Sequence, residues 1–477
     1  MRRGRSSRTA VVVVVAVLVV AAAVMAGFVW WPRSDQGSAG PTTSTTTSSS
    51  ADVVDPPVQP AAAAVKPLSA TAGRVPQPDK VAARLAGPLS NRALAQFSGI
   101  VEDAATGTVL WKRDQGTPVI PGSTLKLLTA AAVLTSMSPD TRLTTTVVSG
   151  SRPGDVVLVG GGDVTLSARQ EGVGTVYDGA PTVADLAAQI KAKKVKVTRI
   201  LTDTTYWSDD DLADGWLTDD ITGTAAARQG YITRMQPLMV DGDRTDPADE
   251  DSPRTGAPAK TAAKALARAL GVPDVPVVTG SQAAPDATVL AKVQSQPVSI
   301  LLSQALLNSD NVLAEALGRT VALKRGAPTT FEGVEAAVVQ ALEDLKLDTV
   351  GLVMEDASGL SPGDQVSASL EADVMALAVS GRVPALGGML AGLPVAGVSG
   401  TLGPDSGRFR SAASKAGAGW VRAKTGSLGV TYALTGYVPD VDGRMLVFSF
   451  NSLGVGGDQG RFAQDAVAAA LRGCGCS

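Results

Sequence analysis

No histidine occurs anywhere in the 477 residues. That excludes every Ser-His-Asp or Cys-His catalytic arrangement and every imidazole metal site. A hydrolase built on this chain must take its base from Lys, Glu, Asp or Tyr. Cysteine is nearly absent too: Cys474 and Cys476 are the two in the chain, and with no third they cannot cross-link the core. A CxC disulfide at a frayed end is expected in an oxidising compartment, while a metal site there lacks further ligands. Aromatic residues are scarce at 4%, whereas Gly (51) and Pro (28) are plentiful, so loops are expected to be numerous. An excess of one charge is lacking as well. The net charge of -3 gives no general basis for binding nucleic acid, and no cofactor or metal is implied.

What the chain does have begins at its N-terminus. Arg2, Arg3, Arg5 and Arg8 precede an uncharged run from Ala10 to Trp31, long enough for the roughly 20 residues that cross a bilayer. Trp30 and Trp31 suit an interface belt, and the arginines favour a cytoplasmic N-terminus. Residues 1–9 are therefore expected to be a cytoplasmic tail and 10–31 a single-pass anchor, with the body outside the cell. A cleaved signal peptide, which would leave a secreted body, is the competing reading, since Ala21-Ala22-Ala23 offers small residues. Residues 32–77, rich in Ser, Thr, Pro and Ala, cannot bury enough apolar surface to order themselves and read as a flexible linker.

In the body, Phe97–Glu102 and Thr108–Arg113 read as a hairpin. Pro121-Gly122 then introduces an apolar, buried helix from Ser123 to about Met137. Short β-like runs, glycine clusters and aspartates mark the middle. Pro297–Leu323 is expected to be helical on either side of a break at Ser309-Asp310-Asn311. Gly419–Lys424, Tyr432–Val438 and Arg444–Asn451 alternate as antiparallel strands, and a helix over Gln459–Leu471 follows. Two strands and a helix in front, with three strands and a helix behind, predict one sheet built from both ends: α/β (α+β), with 78–149 and 263–477 as the main domain. Residues 150–262 would then be an inserted, smaller β-rich domain. It is expected to project as a separate folding unit whose removal leaves the main domain able to react with small molecules.

Three motifs carry chemistry. In Ser123-Thr124-Leu125-Lys126, positions i and i+3 of a helix share a face, so Lys126 can reach the Ser123 hydroxyl. Burial lowers a lysine's preference for the charged form, which lets it serve as the base that histidine cannot supply. Alone, SxxK arises roughly once by chance in a chain this long. Ser309-Asp310-Asn311 alone could be a helix cap, and Lys424-Thr425-Gly426 alone an edge lysine before a turn, here expected at a strand's end. In the order SxxK, SDN, KTG, the three form the set of penicillin-binding proteins and β-lactamases.

With these motifs, and with Gly160-Gly161-Gly162-Asp163, Asp356-Ala357-Ser358-Gly359-Leu360-Ser361, Leu393-Pro394-Val395-Ala396-Gly397-Val398 and Gly400-Thr401-Leu402, the chain resembles the D-alanyl-D-alanine carboxypeptidase/endopeptidase family, the DacB-like class C group of low-molecular-mass penicillin-binding proteins. The resemblance implies a serine β-lactamase/transpeptidase-like fold, an antiparallel sheet flanked by helices. It implies that Ser123 attacks the peptide bond between two D-alanines of peptidoglycan stem peptides, that Lys126 takes its proton, and that Ser309 relays a proton to the leaving amine. Asn311, Lys424, Thr425, Gly426 and Ser427 would bind the substrate, with the backbone N–H groups of Ser123 and Ser427 as the oxyanion hole. β-Lactams would be covalent inhibitors. The deacylating glutamate of class A β-lactamases precedes a nearby asparagine, and no asparagine lies between Asn311 and Lys424. A β-lactamase-like hydrolase is disfavoured on that ground. A non-catalytic cell-wall-binding protein that kept the fold is the reading from a different class, and the intact motif residues argue against it.

Overall fold

The computed structural model describes residues 72–477 apart from 171, 172, 430, 455 and 456. The expected cytoplasmic tail, the membrane segment and the linker up to residue 71 lie outside the described residues. No helix among the described residues is long and apolar enough to cross a membrane.

In chain order the strands are β1 (Gln96–Asp103), β2 (Val109–Arg113), β3 (Thr144–Ser149), β4 (Asp155–Val159), β5 (Arg199–Asp203), β6 (Val277–Val278), β7 (Val289–Gln294), β8 (Arg422–Leu428), β9 (Thr431–Pro439) and β10 (Met445–Leu453). The principal helices are α1 (Pro78–Leu89), α2 (Lys126–Ser136), α3 (Val183–Ala192), α4 (Pro258–Leu270), α5 (Val298–Leu307), α6 (Asn311–Arg325), α7 (Phe331–Asp344), α8 (Ala368–Ser380) and α9 (Gln459–Arg472).

The first sheet runs β2-β1-β10-β9-β8 and is antiparallel throughout. The front hairpin and the three late strands thus join in one sheet, with β1 paired to β10 from Gln96 opposite Leu453 to Asp103 opposite Leu446. The register explains why β1 and β10 are buried almost end to end: both lie inside the sheet with both faces covered. On one face α1 and α9 close over Phe97, Phe409, Phe448 and Phe450. On the other, α8 packs on β1 and β10, and α2 packs on α6 and α7. Leu127 and Leu128 of α2 are fully buried, each contributing roughly 1.5–3 kcal/mol.

The second sheet runs β6-β5-β4-β3-β7. β4, β5 and β6 are parallel, and β3 is antiparallel to both β4 and β7. The inserted part differs from expectation in two ways. Its sheet takes in β3 and β7, so it begins before residue 150 and ends well after 262. It is also less purely β, because α3 and α4 supply the crossovers that parallel strands require and pack on the sheet over Leu158, Leu186 and Leu266. The described residues form a single compact unit, the inserted part included.

The C-terminus also departs from expectation. The Cys474–Cys476 disulfide is present, but the end is not frayed: both cysteines are buried in the core under α1. The Gln77 backbone N–H donates to the Cys476 carbonyl at 2.8 Å and Lys80 Nζ to the Ser477 carbonyl at 2.5 Å. Gln77, the last residue of the expected linker, is therefore pinned to the body.

Candidate active site

Ser123 sits in a short 3-10 turn, Gly122–Leu125, that feeds directly into α2. Gly122 has φ +54, and a Cβ there would lie 2.8 Å from the Ser427 amide nitrogen. Glycine alone lets the turn that carries Ser123 close against the Ser427 amide on β8.

Lys126, 1% exposed, is the first residue of α2. Its Nζ lies 2.9 Å from Ser123 Oγ, and it donates to Asn311 Oδ1 at 2.6 Å and to the Ser358 carbonyl at 2.8 Å. Burial pulls its pKa down to about 8, against the opposing pull of Asp356, Glu315, Asp310 and Asp364. An ammonium has three N–H donors and a neutral amine two. With two N–H groups committed to Asn311 and Ser358, the neutral amine turns its lone pair toward Ser123 Oγ. That is the geometry of a general base.

Ser309 lies at the break between α5 and α6 with φ +60, a conformation that costs a non-glycine residue on the order of 1–3 kcal/mol. Asp310 caps α6, accepting from Leu313 N at 2.8 Å. Asn311 is held by its other side-chain atom as well: Nδ2 donates to the Tyr231 carbonyl of the inserted part at 3.2 Å.

Lys424 is not at a strand end. β8 begins at Arg422 and runs to Leu428, so the motif is mid-strand, and the expected Gly419 start is instead a positive-φ turn. Lys424 is fully buried and donates to Ser309 Oγ at 2.8 Å and to the Thr425 carbonyl at 2.9 Å. Burial, and then the neighbouring Lys126, hold its pKa well below the usual lysine range. An anion placed beside it would favour the charged form again.

All three motifs therefore meet. A cavity of about 270 Å³ opens on them, lined by Ser123, Ser309, Thr425, Gly426 and Ser427. Thr401 and Arg461, which sequence reasoning did not assign, also line it. Thr401 Oγ1 lies 2.8 Å from Thr425 Oγ1, and Arg461 donates to Ser427 Oγ at 3.0 Å. The Gly400-Thr401-Leu402 stretch was a signal for the first; an arginine on a terminal helix gives none.

The Asp356–Ser361 stretch is a turn, and it supports Lys126. Asp356 accepts from the backbone N–H groups of Ser358, Gly359 and Ser361 at 2.8, 2.6 and 2.7 Å, and from the Trp216 indole at 2.8 Å. This fixes the Ser358 carbonyl against Lys126. Trp216, Tyr231 and the packing of Tyr177, Trp207 and Met235 into the core of the helical layer tie the inserted part to the site. It is not an independent projection.

The whole is a buried lysine on a serine hydroxyl, a second lysine on a second serine, and a polar cleft between them, an arrangement able to acylate and deacylate a serine without histidine. Comparison with known proteins agrees. The family model described as the D-Ala-D-Ala carboxypeptidase 3 (S13) family matches residues 81–267 and 249–473. The chain is 42% identical over 428 residues to "Carboxypeptidase DacB" of Mycolicibacterium smegmatis, covering 88% of this chain and 90% of that one. It is 40% identical over 427 residues to a carboxypeptidase of Mycobacterium tuberculosis, again covering 88% and 90%. In fold it is similar to penicillin binding protein 4 (dacB) of Haemophilus influenzae, with TM-score 0.65 and 19% identity over 81% of this chain and 98% of that one; that protein has also been solved with a β-lactam bound. The chain belongs to the D-Ala-D-Ala carboxypeptidase 3 (S13) family and is a serine-type carboxypeptidase with a penicillin-binding-protein fold.

Proposed function

We propose that this carboxypeptidase removes the terminal D-alanine of peptidoglycan stem peptides through an acyl-enzyme on Ser123. The observation that carries the reading is the 2.9 Å contact between Lys126 Nζ and Ser123 Oγ, with the lysine's other two positions occupied. Neutral Lys126 accepts the hydroxyl proton as Ser123 Oγ attacks the carbonyl carbon between the two D-alanines. The oxyanion develops against the Ser123 and Ser427 amides, a device worth about 10²–10³-fold per donor. As the C–N bond breaks, Ser309 passes its hydroxyl proton to the leaving amine and takes a replacement from charged Lys424 across their 2.8 Å contact. Water then hydrolyses the ester, its proton restoring Lys424 through Ser309 while the proton held by Lys126 returns to Ser123 Oγ. A β-lactam is opened by the same attack, but its leaving amine stays tethered, so the acyl-enzyme persists. Endopeptidase cleavage of cross-links uses the same chemistry on a larger substrate.

Lys424 and the Thr425 and Ser427 hydroxyls favour a substrate with a free terminal carboxylate, through charge-assisted hydrogen bonds. Lys424→Ala is expected to reduce kcat/KM for the acid by about tenfold to a hundredfold, the 1.5–3 kcal/mol of a hydrogen bond to a charged group. The amide of the same peptide should lose less, because only the part of Lys424 in the Ser309 proton transfer is lost there. A variant that still prefers acid over amide as strongly as wild type does would remove Lys424 from the carboxylate's recognition.

The N-terminal arginines and the apolar run Ala10–Trp31 support an enzyme anchored in the cell membrane with its catalytic body outside. In fractionated cells the intact chain, beginning at residue 1 or 2, is expected in the membrane. A mature protein beginning after about Ala23 and free of membrane would establish signal cleavage instead.

A further inference from the structure

The residue between Ser309 and Asn311 has no part in the chemistry above, yet it is the most tightly held of the three. Asp310 is fully engaged: Oδ1 caps α6, and Oδ2 accepts from Arg244 Nη2 at 2.7 Å and from the Tyr177 hydroxyl at 3.0 Å. The ion pair is almost completely buried, with the two side chains 3% and 7% exposed. Arg244 also donates to the Tyr177 oxygen at 2.9 Å and to the Asp241 and Glu250 carbonyls, each at 3.2 Å, while its guanidinium lies 5.0 Å from the Tyr177 ring centroid. Gly242, at φ +60, makes this possible, because a Cβ there would sit 2.5 Å from both Arg244 Nη1 and the Tyr177 oxygen.

Arg244 and Tyr177 both belong to the inserted part, 66 and 133 positions before Asp310. A buried arginine with a planar fork fixes an angle as well as a distance. What it fixes here is a turn whose first residue, Ser309, occupies a sparsely populated conformation that persists only when its surroundings over-determine it. That turn presents Ser309 Oγ to Lys424 and Asn311 Oδ1 to Lys126.

We infer that Arg244 and Tyr177 are positioning residues: an arginine–tyrosine clamp from the inserted part grips Asp310 and holds Ser309 and Asn311 in reactive register with the two lysines. The inference rests on the acyl-enzyme reading for its effect on rate, though not for its effect on the turn. It also reverses the expectation that the inserted part is dispensable for reaction with a small β-lactam.

The test uses the full chain and four variants: Arg244→Met, Tyr177→Phe, Asp310→Asn, and Arg244→Met combined with Asp310→Asn. Arg244→Met alone strands a buried carboxylate and should lower the melting temperature. The double variant removes the stranded charge, and asparagine still caps α6, so its melting temperature should recover. Acylation by a fluorescent penicillin, resolved into a binding and a chemical step, should show the chemical step slowed about 10²-fold in both Arg244 variants, the scale of an ångström's misplacement. The binding step should be little changed, and Tyr177→Phe should fall between wild type and these. Amide exchange at Leu313 should quicken in Arg244→Met. A double variant that recovers both stability and wild-type acylation would reduce the clamp to support of the fold. If the wild-type chain is not acylated at all, the acyl-enzyme reading fails, and unchanged Leu313 exchange in Arg244→Met would overturn the clamp separately.

Discussion

Ser123→Ala is expected to abolish both release of D-alanine and covalent labelling by penicillin, with a loss on the order of 10⁶-fold, as when the nucleophile of a serine peptidase is removed. The size follows from what remains. Without histidine, the reaction depends on a hydroxyl beside an amine, and Ser123 Oγ is the hydroxyl that touches Lys126 Nζ. Ser309 is held by the other lysine, and the Thr124 hydroxyl is turned away, donating to the Pro121 carbonyl at 2.9 Å. The fold should survive. Ser123 is half-buried on a turn, and the change removes one partner of Lys126 while leaving the other two, a cost of about 1 kcal/mol. Labelling that persists in a folded Ser123→Ala chain would sink the assignment.

Lys126→Met should slow acylation by about 10²–10⁴-fold, the range for a general base. The more discriminating signature is pH. On the proposed mechanism the reactive form is the neutral amine, and burial lowers the folded pKa to about 8. Below that value the neutral fraction falls about tenfold per pH unit, so the acylation rate should fall with unit slope on the acid side and level off above about pH 8. In Lys126→Met the residual rate should lose this acid limb. A wild-type rate that stays flat down to pH 5 would contradict a lysine base, as would an acid limb that survives the substitution.

The two serine–lysine pairs were legible in the sequence to different degrees, and the reason is range. Ser123 and Lys126 are three residues apart on one helical face, so spacing alone brought them together. Ser309, Asn311 and Lys424 joined them only through the order of the motifs, because no local rule places β8 beside α2. The sheet made from both ends was readable because β1, β9 and β10 are short runs rich in β-branched and aromatic residues bounded by turn signals. The end of β8 was placed too early, at Lys424, because Gly426, which spacing treats as a strand breaker, is there for its closeness to the Pro121 carbonyl. The helices of the inserted part were missed for a different reason: α3 and α4 are rich in alanine, and flanking glycines and aspartates drew attention to turns. Besides Arg461, two contributions to the site had no sequence signal. The Ser358 carbonyl acts through its backbone, which residue type does not encode. The Arg244–Tyr177–Asp310 clamp joins residues whose charges or hydroxyls, taken singly, resemble ordinary surface groups.

The most direct test of the central claim is to incubate the wild-type chain with penicillin, digest it with trypsin and locate the adduct by fragmentation. Cleavage after Arg113 and Lys126 gives the peptide Asp114–Lys126. One equivalent of adduct is expected on that peptide, at Ser123 and not at Thr124. An adduct on Ser309 or elsewhere, or a fully folded chain that carries none, would contradict it.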